Sequence, residues 1–465
     1  MEQKHFNRVF IFGITLVAAM GGLLFGYDWV VIGGAKPFYE RFFQITASPH
    51  LQGWAMSSAL IGCLAGAMIS GYLTDRFGRK RPLMLSALIF TIAAIGTGAA
   101  NHFTPFILFR LFGGLGIGIA SAVSPMYIAE ISPPSLRGRL VSVNQLTIVI
   151  GILLAQVINY LIADPVTAGA SDAAILQSWN GQTGWRWMFQ AVAAPALLFL
   201  VLSFFIPESP RFLAKSGKWD QAERILERIG GKQYAVQGRA EIAQTLAEAS
   251  TRVNFRELLA PGIRPVIILG VVLAIFQQWC GINVIFNYAE EIFSAAGYTV
   301  SDMLFNVVVT GTINLIFTLL AMRMVDHWGR RNLMLTGALG LAVVYLLLGA
   351  GYFFQVKGMA ILVLVLLALA TYALTLAPVT WVILSEIFPN KIRGAAMATA
   401  TTALWLACFV LTYTFPILNR WLMASGTFWL YALICLAGFV FILKKVPETK
   451  GKSLEELEKQ LTVNK

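Results

Sequence analysis

Long apolar stretches alternate with short polar breaks along the whole chain. Stretches of about 20 residues, enough for a helix to cross a bilayer, can be placed twelve times. They run approximately over 9–33, 53–74, 83–100, 104–127, 140–163, 186–206, 265–296, 303–322, 333–355, 359–385, 395–418 and 427–446. In lipid the backbone polar groups must be hydrogen-bonded within each segment. The pattern therefore predicts an all-α, polytopic membrane protein with twelve transmembrane helices.

Short charged motifs recur in the same order in both halves of the chain. The pairs are Asp75-Arg76-Phe77-Gly78-Arg79 with Asp326-His327-Trp328-Gly329-Arg330, Glu130 and Arg137 with Glu386 and Arg393, and Pro207-Glu208-Ser209 with Pro447-Glu448-Thr449. Repeated halves in a membrane protein are typical of transporters in which one bundle rocks against the other. We expect two pseudo-symmetric six-helix bundles, 1–206 and 263–446, and a tail, 447–465.

The segment 207–262 between the halves is the one sizeable polar insert. Its apolar residues follow a heptad-like spacing with charges between them: Trp219, Ala222, Ile225, Leu226 and Ile229. This spacing predicts short amphipathic helices lying on the cytoplasmic face.

The distribution of charge fixes a topology and argues against nucleic acid as a partner. The chain is 57% hydrophobic and 12% charged, with a formal net charge of +12. The basic loops, both termini and the linker fall on one side of the helix count, whereas the 163–184 loop has no Lys or Arg. By the positive-inside rule that basic side is the cytoplasm. We expect a multi-pass protein of the inner, or cytoplasmic, membrane with both termini in the cytoplasm and the lipid bilayer as its surroundings.

Several motifs together resemble the sugar porter family of the major facilitator superfamily. They are Arg110 with Gly113-Gly114, Pro125-Met126-Tyr127-Ile128-Ala129-Glu130, Pro207-Glu208-Ser209-Pro210-Arg211, Gln277-Gln278 with Gly281-Ile282-Asn283, and Pro447-Glu448-Thr449-Lys450-Gly451. The chain most resembles bacterial proton-coupled pentose and hexose carriers. The resemblance implies the major facilitator fold, a central site for a monosaccharide such as xylose or glucose, and alternating access coupled to proton symport.

Asp28 and Arg110 are ionisable residues inside predicted spans. Each lies about 8 residues, or roughly 12 Å of helix, from the outer end of its span. An ionisable group at such depth indicates a functional site, and we expect the two to be partners. Burial favours the protonated form of Asp28 and a nearby Arg opposes it, so movement of Arg110 would let Asp28 bind and release a proton. In the resembled family, proton-linked members carry an acid here and uniporters typically an amide.

Amides and aromatic rings deep in the spans are candidates for binding sugar, which offers hydroxyls and C–H faces. The candidates are Gln145, Gln277, Gln278, Asn283, Asn314, Trp381 and Trp405. An unsatisfied amide in lipid is costly, so a cavity is the expected environment. For any one of them a helix–helix hydrogen bond or an interfacial ring is the alternative. Three positions, Ile152, Asn287 and Leu404, depart from the pattern of close xylose carriers, which leaves the identity of the sugar open.

The repeated charged motifs are candidates for cytoplasmic gates. The candidate residues are Asp75, Arg79, Glu130, Arg137, Glu208, Asp326, Arg330, Glu386, Arg393 and Glu448. Ion pairs that must break when the cytoplasmic side opens would stabilise the outward-facing state. The alternative is that these charges only cap helix ends and set the topology.

Other function classes find little support in the sequence. There is no Walker loop, no nucleophile constellation and no spacing typical of a metal or disulfide site, so we expect neither an enzyme nor a cofactor, with the proton as the coupling ion. A facilitative sugar uniporter stays open as an alternative, and a sugar sensor is a further one. The oligomeric state cannot be read from the sequence.

Overall fold

The computed structural model describes residues 6–167, 169–248, 258, 260–389, 392–450 and 456, and its long elements are all α-helices. In the first half they are α1 (Arg8–Phe42), α2 (Pro49–Phe77), α3 (Lys80–Ala99), α4 (Phe103–Ile131), α5 (Arg137–Ile162), α6 (Asp172–Gln177), α7 (Trp185–Gln190) and α8 (Ala193–Ser203), with a π-helical turn at Asn180–Gly184. The linker contains α9 (Pro210–Lys215) and α10 (Trp219–Glu248). In the second half they are α11 (Arg264–Trp279), α12 (Ile282–Asn287), α13 (Ala289–Ala295), α14 (Val300–Trp328), α15 (Arg330–Phe353), α16 (Met359–Leu374), α17 (Leu376–Ile387) and α18 (Arg393–Lys445).

The predicted fold is confirmed. Within the described ranges, 11 helical stretches are long and apolar enough to cross a membrane. The last of them, α18, has 53 residues and is interrupted at Met423, where φ is 57° and ψ is 174°. This break separates the two spans predicted over 395–418 and 427–446, so the described residues contain the twelve predicted crossing segments.

Two spans are broken near their middle. The seventh is interrupted at Gly281, whose φ of +87° is in the left-handed region, and a Cβ there would lie 2.8 Å from the ring of Tyr431. Glycine is therefore required at this break. The tenth is interrupted at Thr375, three residues before Pro378, which cannot continue a helical ladder. The sequence indicated a helix-breaking proline at Pro378, whereas the seventh span was predicted only as one apolar stretch over 265–296.

The linker forms helices, as predicted, and they have a small core of their own. Leu213 and Ala214 of α9 pack against Ala222 of α10, with Trp219 and Ile225 beside them. Helix α10 bends at Gly230 and Gly231. Residues 249–257 and 259 of the predicted linker lie outside the described part of the chain.

The chain folds into two compact units whose boundaries differ from the sequence repeat. The first unit contains residues 1–29, 61–152 and 189–252, and the second contains 30–60, 153–188 and 253–465. Parts of α1, α2 and α5 thus group with helices of the second half. The predicted domain boundaries, which follow the sequence repeat, stay a prediction.

Candidate functional site

Asp28 of α1 and Arg110 of α4 form an ion pair inside the first unit. Arg110 Nη1 lies 3.0 Å from Asp28 Oδ1 and 2.9 Å from Oδ2. Both residues are buried, with 8% and 4% of their surfaces exposed. The guanidinium also lies over the ring of Phe189, 5.7 Å from its centroid. The structure thus joins the two ionisable residues that the sequence placed at equal depth.

Three of the predicted sugar-site amides form a hydrogen-bonded chain in the second unit. Asn283 Nδ2 donates to Gln278 Oε1, and Gln278 Nε2 donates to Gln277 Oε1. Gln277 Nε2 then donates to the hydroxyl of Tyr372 on α16 at 2.6 Å. The three amides are less than 9% exposed. This arrangement gives a neutral polar strip across a buried region, with hydroxyl and amide groups that can exchange partners.

The break at Gly281 explains how this amide chain forms. Gln277 and Gln278 lie at the end of α11, and Asn283 lies in the first turn of α12. The left-handed residue between them redirects the backbone locally, which lets Asn283 reach Gln278 five residues earlier. Discontinuous helices in transporters place polar groups at ligand sites in this way.

Tyr372 belongs to this arrangement although its sequence position does not single it out. It lies within an apolar span, six residues before Pro378, where a tyrosine has no membrane interface to reach. A phenol so placed usually finds a hydrogen-bond partner. This position in mid-span was the one feature of the sequence that could have indicated a role for Tyr372. It was not sufficient, because aromatic residues are common in spans and the partner, Gln277, lies 95 residues away.

Two other sugar-site candidates, Asn314 and Trp381, are not hydrogen-bonded to this amide chain in the described structure. Asn314 on α14 and Trp405 on α18 are buried, whereas the ring of Trp381 on α17 belongs to a residue that is 37% exposed. Gln145 on α5 belongs to the first unit and is half-buried. None of the hydrogen bonds found among the described residues joins Asn314 or Trp381 to the three amides.

The three departures from the xylose-carrier pattern are all buried. Ile152, Asn287 and Leu404 are 8%, 4% and 4% exposed. Asn287 Oδ1 is buried without a hydrogen-bond partner in the described structure. An amide with spare bonding capacity is the kind of group that a bound polar ligand satisfies.

A charged cluster in the first unit joins three of the repeated motifs. Arg79 Nη2 lies 2.7 Å from Glu130 Oε1, and the hydroxyl of Ser209 donates to the other oxygen of Glu130. Glu208 Oε1 accepts the backbone N–H groups of Arg79 and Ser209, each at 2.8 Å. Gly78, with φ of +86°, leaves room for the Glu208 carboxylate, which a Cβ at this position would overlap.

An equivalent cluster lies in the second unit. Glu448 Oε1 accepts the backbone N–H groups of Arg330 and Thr449, each at 3.0 Å. Gly329, with φ of +83°, leaves room for this carboxylate as well. Arg330 Nε lies 3.6 Å from Glu386 Oε1, a looser pair than its counterpart. The sequence repeat is therefore also a repeat of geometry.

The remaining gate candidates have other surroundings. Asp75 pairs with Lys215 of α9 at 2.8 Å, and both side chains are mostly exposed. Arg137 is exposed, and none of the ion pairs in the described part joins it to Glu130, which instead contacts Arg79. Arg393 Nε donates to the carbonyl of Phe388 at 3.3 Å. The side chain of Asp326 lies outside the described residues. The arginine nearer the start of each half, rather than the one after the glutamate, is therefore the glutamate's partner.

Known transporters resemble the chain over nearly its full length. Residues 14–461 match the family described as sugar (and other) transporter. The D-xylose-proton symporter of Escherichia coli (strain K12) is 42% identical over 98% of this chain and 96% of that protein. The arabinose-proton symporter of Bacillus subtilis (strain 168) is 37% identical over 97% of this chain and 95% of that one.

A solved structure of the inward-open conformation of the xylose transporter XylE from E. coli matches with a TM-score of 0.84 at 40% identity. The match covers 97% of this chain and 100% of that chain. Fold and sequence agree on a transporter rather than an enzyme. The chain belongs to the sugar (and other) transporter family, the sugar porters of the major facilitator superfamily.

Proposed function

We propose that the protein is a secondary active transporter that carries a monosaccharide together with a proton across the cytoplasmic membrane by alternating access. The observation that carries this proposal is the buried Asp28–Arg110 pair. While the pair is intact, Arg110 balances the charge of the ionised Asp28 carboxylate. If the two separate, the carboxylate is left without a counter-charge in apolar surroundings, which is unfavourable unless it binds a proton. Relatives of this chain are named as proton symporters for xylose and arabinose, which supports the same assignment.

In this mechanism Asp28 takes up a proton when Arg110 withdraws. The neutral acid tolerates the apolar surroundings and frees the guanidinium to bond elsewhere; Arg110 Nε already has no hydrogen-bond partner in the described structure. Return of Arg110 favours the ionised form again and expels the proton. The proton is thus the coupling ion, and the two residues act as the coupling site.

Sugar recognition is assigned to the amides and rings of the second half together with Gln145. Gln277, Gln278 and Asn283 would exchange their mutual hydrogen bonds for bonds to sugar hydroxyls, with Asn314 as a further amide. The half-exposed ring of Trp381, with Trp405, would cover the C–H face of the sugar. Because the amides are neutral, they bind a polyol without fixing a charge in the site. Xylose, arabinose and glucose all fit this chemistry.

The two repeated charged clusters are proposed as latches of the basic end, which the charge pattern predicts to be cytoplasmic. Each joins a helix end, a glycine turn and the segment after the last helix of its half. Opening of that end would have to rearrange these contacts, so the clusters favour the state in which it is closed. We assign the gating role to all ten candidate residues, with Arg79, Glu130, Glu208, Arg330, Glu386 and Glu448 supported by the geometry.

The direct test is to reconstitute purified protein into liposomes and add sugar to the outside at equal internal and external pH. A symporter raises the external pH as sugar enters, and a protonophore abolishes this pH change. A facilitative uniporter equilibrates the sugar without any pH change, and a sensor moves neither. Counterflow of labelled pentoses and hexoses in the same vesicles identifies the sugar independently of the proton result.

A further inference from the structure

A second buried charged cluster lies at the end of α1 that the charge pattern predicts to face outward. Lys36 Nζ lies 2.6 Å from Glu291, 3.0 Å from Glu40 and 3.4 Å from Glu290. The Lys36 side chain is only 2% exposed and that of Glu40 only 3%. The cluster, here called the Lys36 cluster, lies within the second unit and ties the end of α1 to α13.

In the Lys36 cluster two carboxylates, Glu40 and Glu291, share the single positive charge of Lys36. Arg41 forms ion pairs with Glu290, at 3.1 Å between Nη1 and Oε1, and with the exposed Asp172, at 2.8 Å between Nε and Oδ1. Lys36 is then the counter-charge for both Glu40 and Glu291. Two ionised carboxylates on one buried ammonium repel each other, and the site favours retaining a proton on one of them.

Unpaired oxygen atoms point to the same conclusion. Glu40 Oε2 is bonded to Lys36 and to the Gln52 amide, but Glu40 Oε1 is buried and has no partner within the described residues. Glu291 Oε2 is likewise buried without a partner there. A buried carboxylate oxygen with no donor is costly when ionised, whereas a protonated carboxyl carries no charge.

A route for the proton lies beside Glu291. A cavity of about 400 Å³ is lined by Thr46, Gln52, Glu291, Asn419 and Arg420 among others. Water in this polar cavity could carry a proton to and from the Glu291 carboxyl. The titratable and charged groups around the two carboxyls are Lys36, Tyr39 and Arg41 of α1, Asp172 of α6, Tyr288, Glu290 of α13, and Arg420 of α18.

We propose that Glu40 and Glu291 together hold one proton beside Lys36, and that its release to water loosens the contact between α1 and α13 and opens this end of the transporter. With the proton bound, the charges of Lys36 and the two carboxyls balance and the contact is stable. After its loss, the two carboxylates repel each other, and separation of the helices admits water to Glu40 as well. Opening is therefore favoured as the external pH rises.

This inference rests on the proposed alternation between two open states, but not on the sugar or on Asp28. The test uses the full chain in lipid vesicles without sugar, with Asp28→Asn to remove the titration of that site and with the four native cysteines replaced. Spin labels at Ala47→Cys and Ser294→Cys, both exposed positions, report the distance across this end. We expect a longer-distance population to grow from about pH 5 to about pH 9, the range spanned by ordinary and buried carboxyls.

Glu40→Gln and Glu291→Gln mimic the protonated acid and should each hold the short distance at all pH values. Asp172→Asn is the matched control, because Asp172 is 72% exposed and bonded through Arg41 alone, and it should keep the pH response. Lys36→Gln works in the opposite direction and should show the long distance at neutral pH. An intact cluster with no pH response, or a pH response that persists in both glutamine variants, overturns the proposal. In either case alkalinisation driven by sugar would still stand as the test of symport.

Discussion

The buried charged pair of the first unit and the buried amide chain of the second unit differ in how they respond to a proton. Asp28 and Arg110 carry opposite charges, so a proton on the carboxylate would remove the attraction between them. Gln277, Gln278 and Asn283 are neutral at every accessible pH, and their hydrogen bonds can be exchanged at small net cost. The proposed coupling and recognition functions therefore lie in separate residues, and mutation should separate them.

The largest expected effect is on coupling. Asp28→Asn replaces the acid by an amide that resembles its protonated form and cannot release a proton. One proton driven by 100 mV supplies about 2.3 kcal/mol, enough for roughly fifty-fold accumulation, and the variant should lose all of it. Sugar binding and sugar exchange should persist. Uptake against a gradient and counterflow, measured in the same vesicles, separate the two activities.

Asp164→Asn is the matched control for this variant, because Asp164 is an exposed carboxylate in the loop after α5. It should accumulate sugar normally. Full accumulation by Asp28→Asn would remove the pair from the coupling mechanism and, with it, the functional distinction between the two sites.

The next effect is on recognition. Gln278→Ala removes the central amide of the chain, and Trp381→Ala removes the half-exposed ring. Each should weaken sugar binding by about 1 to 3 kcal/mol, through lost hydrogen bonds and lost ring contact respectively. Proton coupling of the sugar that is still carried should be unchanged. Calorimetry on purified protein measures the affinities.

Asn332→Ala, which alters an exposed amide at the start of α15, should leave the affinity as it is. If both site variants bind with unaltered affinity, the amide chain is a structural contact and the sugar binds elsewhere.

A smaller effect is expected at Tyr372. Tyr372→Phe removes the hydroxyl that accepts from Gln277 and leaves the ring in place. Loss of one neutral hydrogen bond corresponds to about 1 kcal/mol, or roughly fivefold in affinity. An effect on binding as large as that of Gln278→Ala would show that the hydroxyl touches the sugar itself. An unchanged affinity would confine the contacting groups to the amides.

Features that are local or repeated could be predicted from the sequence, and features that depend on packing could not. The twelve spans followed from apolar length, and the charged clusters were visible because their motifs occur twice. The glutamate partners were not, since Arg79 and Arg137 are both plausible on spacing, and only the fold places Arg79 beside Glu130. The break at Gly281 was not predicted, because the span over 265–296 was placed from its overall apolar length and the left-handed backbone at Gly281 depends on packing against Tyr431.

The Lys36 cluster escaped for a related physical reason. Its members lie near helix ends, where charged residues ordinarily face water, and their motif is not among those that recur in the second half. Lys36 and Glu290 are 254 residues apart. Their burial results from the packing of α1 against α13, which no local pattern encodes.

The smallest expected effect is on closure of the basic end, and it should come from the two repeated charged clusters alone. Glu130→Gln breaks a contact of 2.7 Å, whereas Glu386→Gln breaks one of 3.6 Å. The first should weaken closure of the basic end by about 1 kcal/mol and the second by less, as for other partly exposed ion pairs. Sugar affinity and proton coupling should survive in both, because neither glutamate belongs to the pair or to the amide chain.

Weaker closure should make introduced cysteines easier to reach from the basic side. Cysteine labelling from that side, on a background without the four native cysteines, measures this access. Glu223→Gln alters an exposed linker ion pair and should leave access unchanged. Greater access in Glu130→Gln than in Glu386→Gln would show that closure follows the tightness of each cluster rather than the sequence repeat. If turnover slows in both variants while access stays the same, the clusters are not latches. Their duplication would then reflect only the shared ancestry of the two halves and the need to keep basic loops on one side of the membrane.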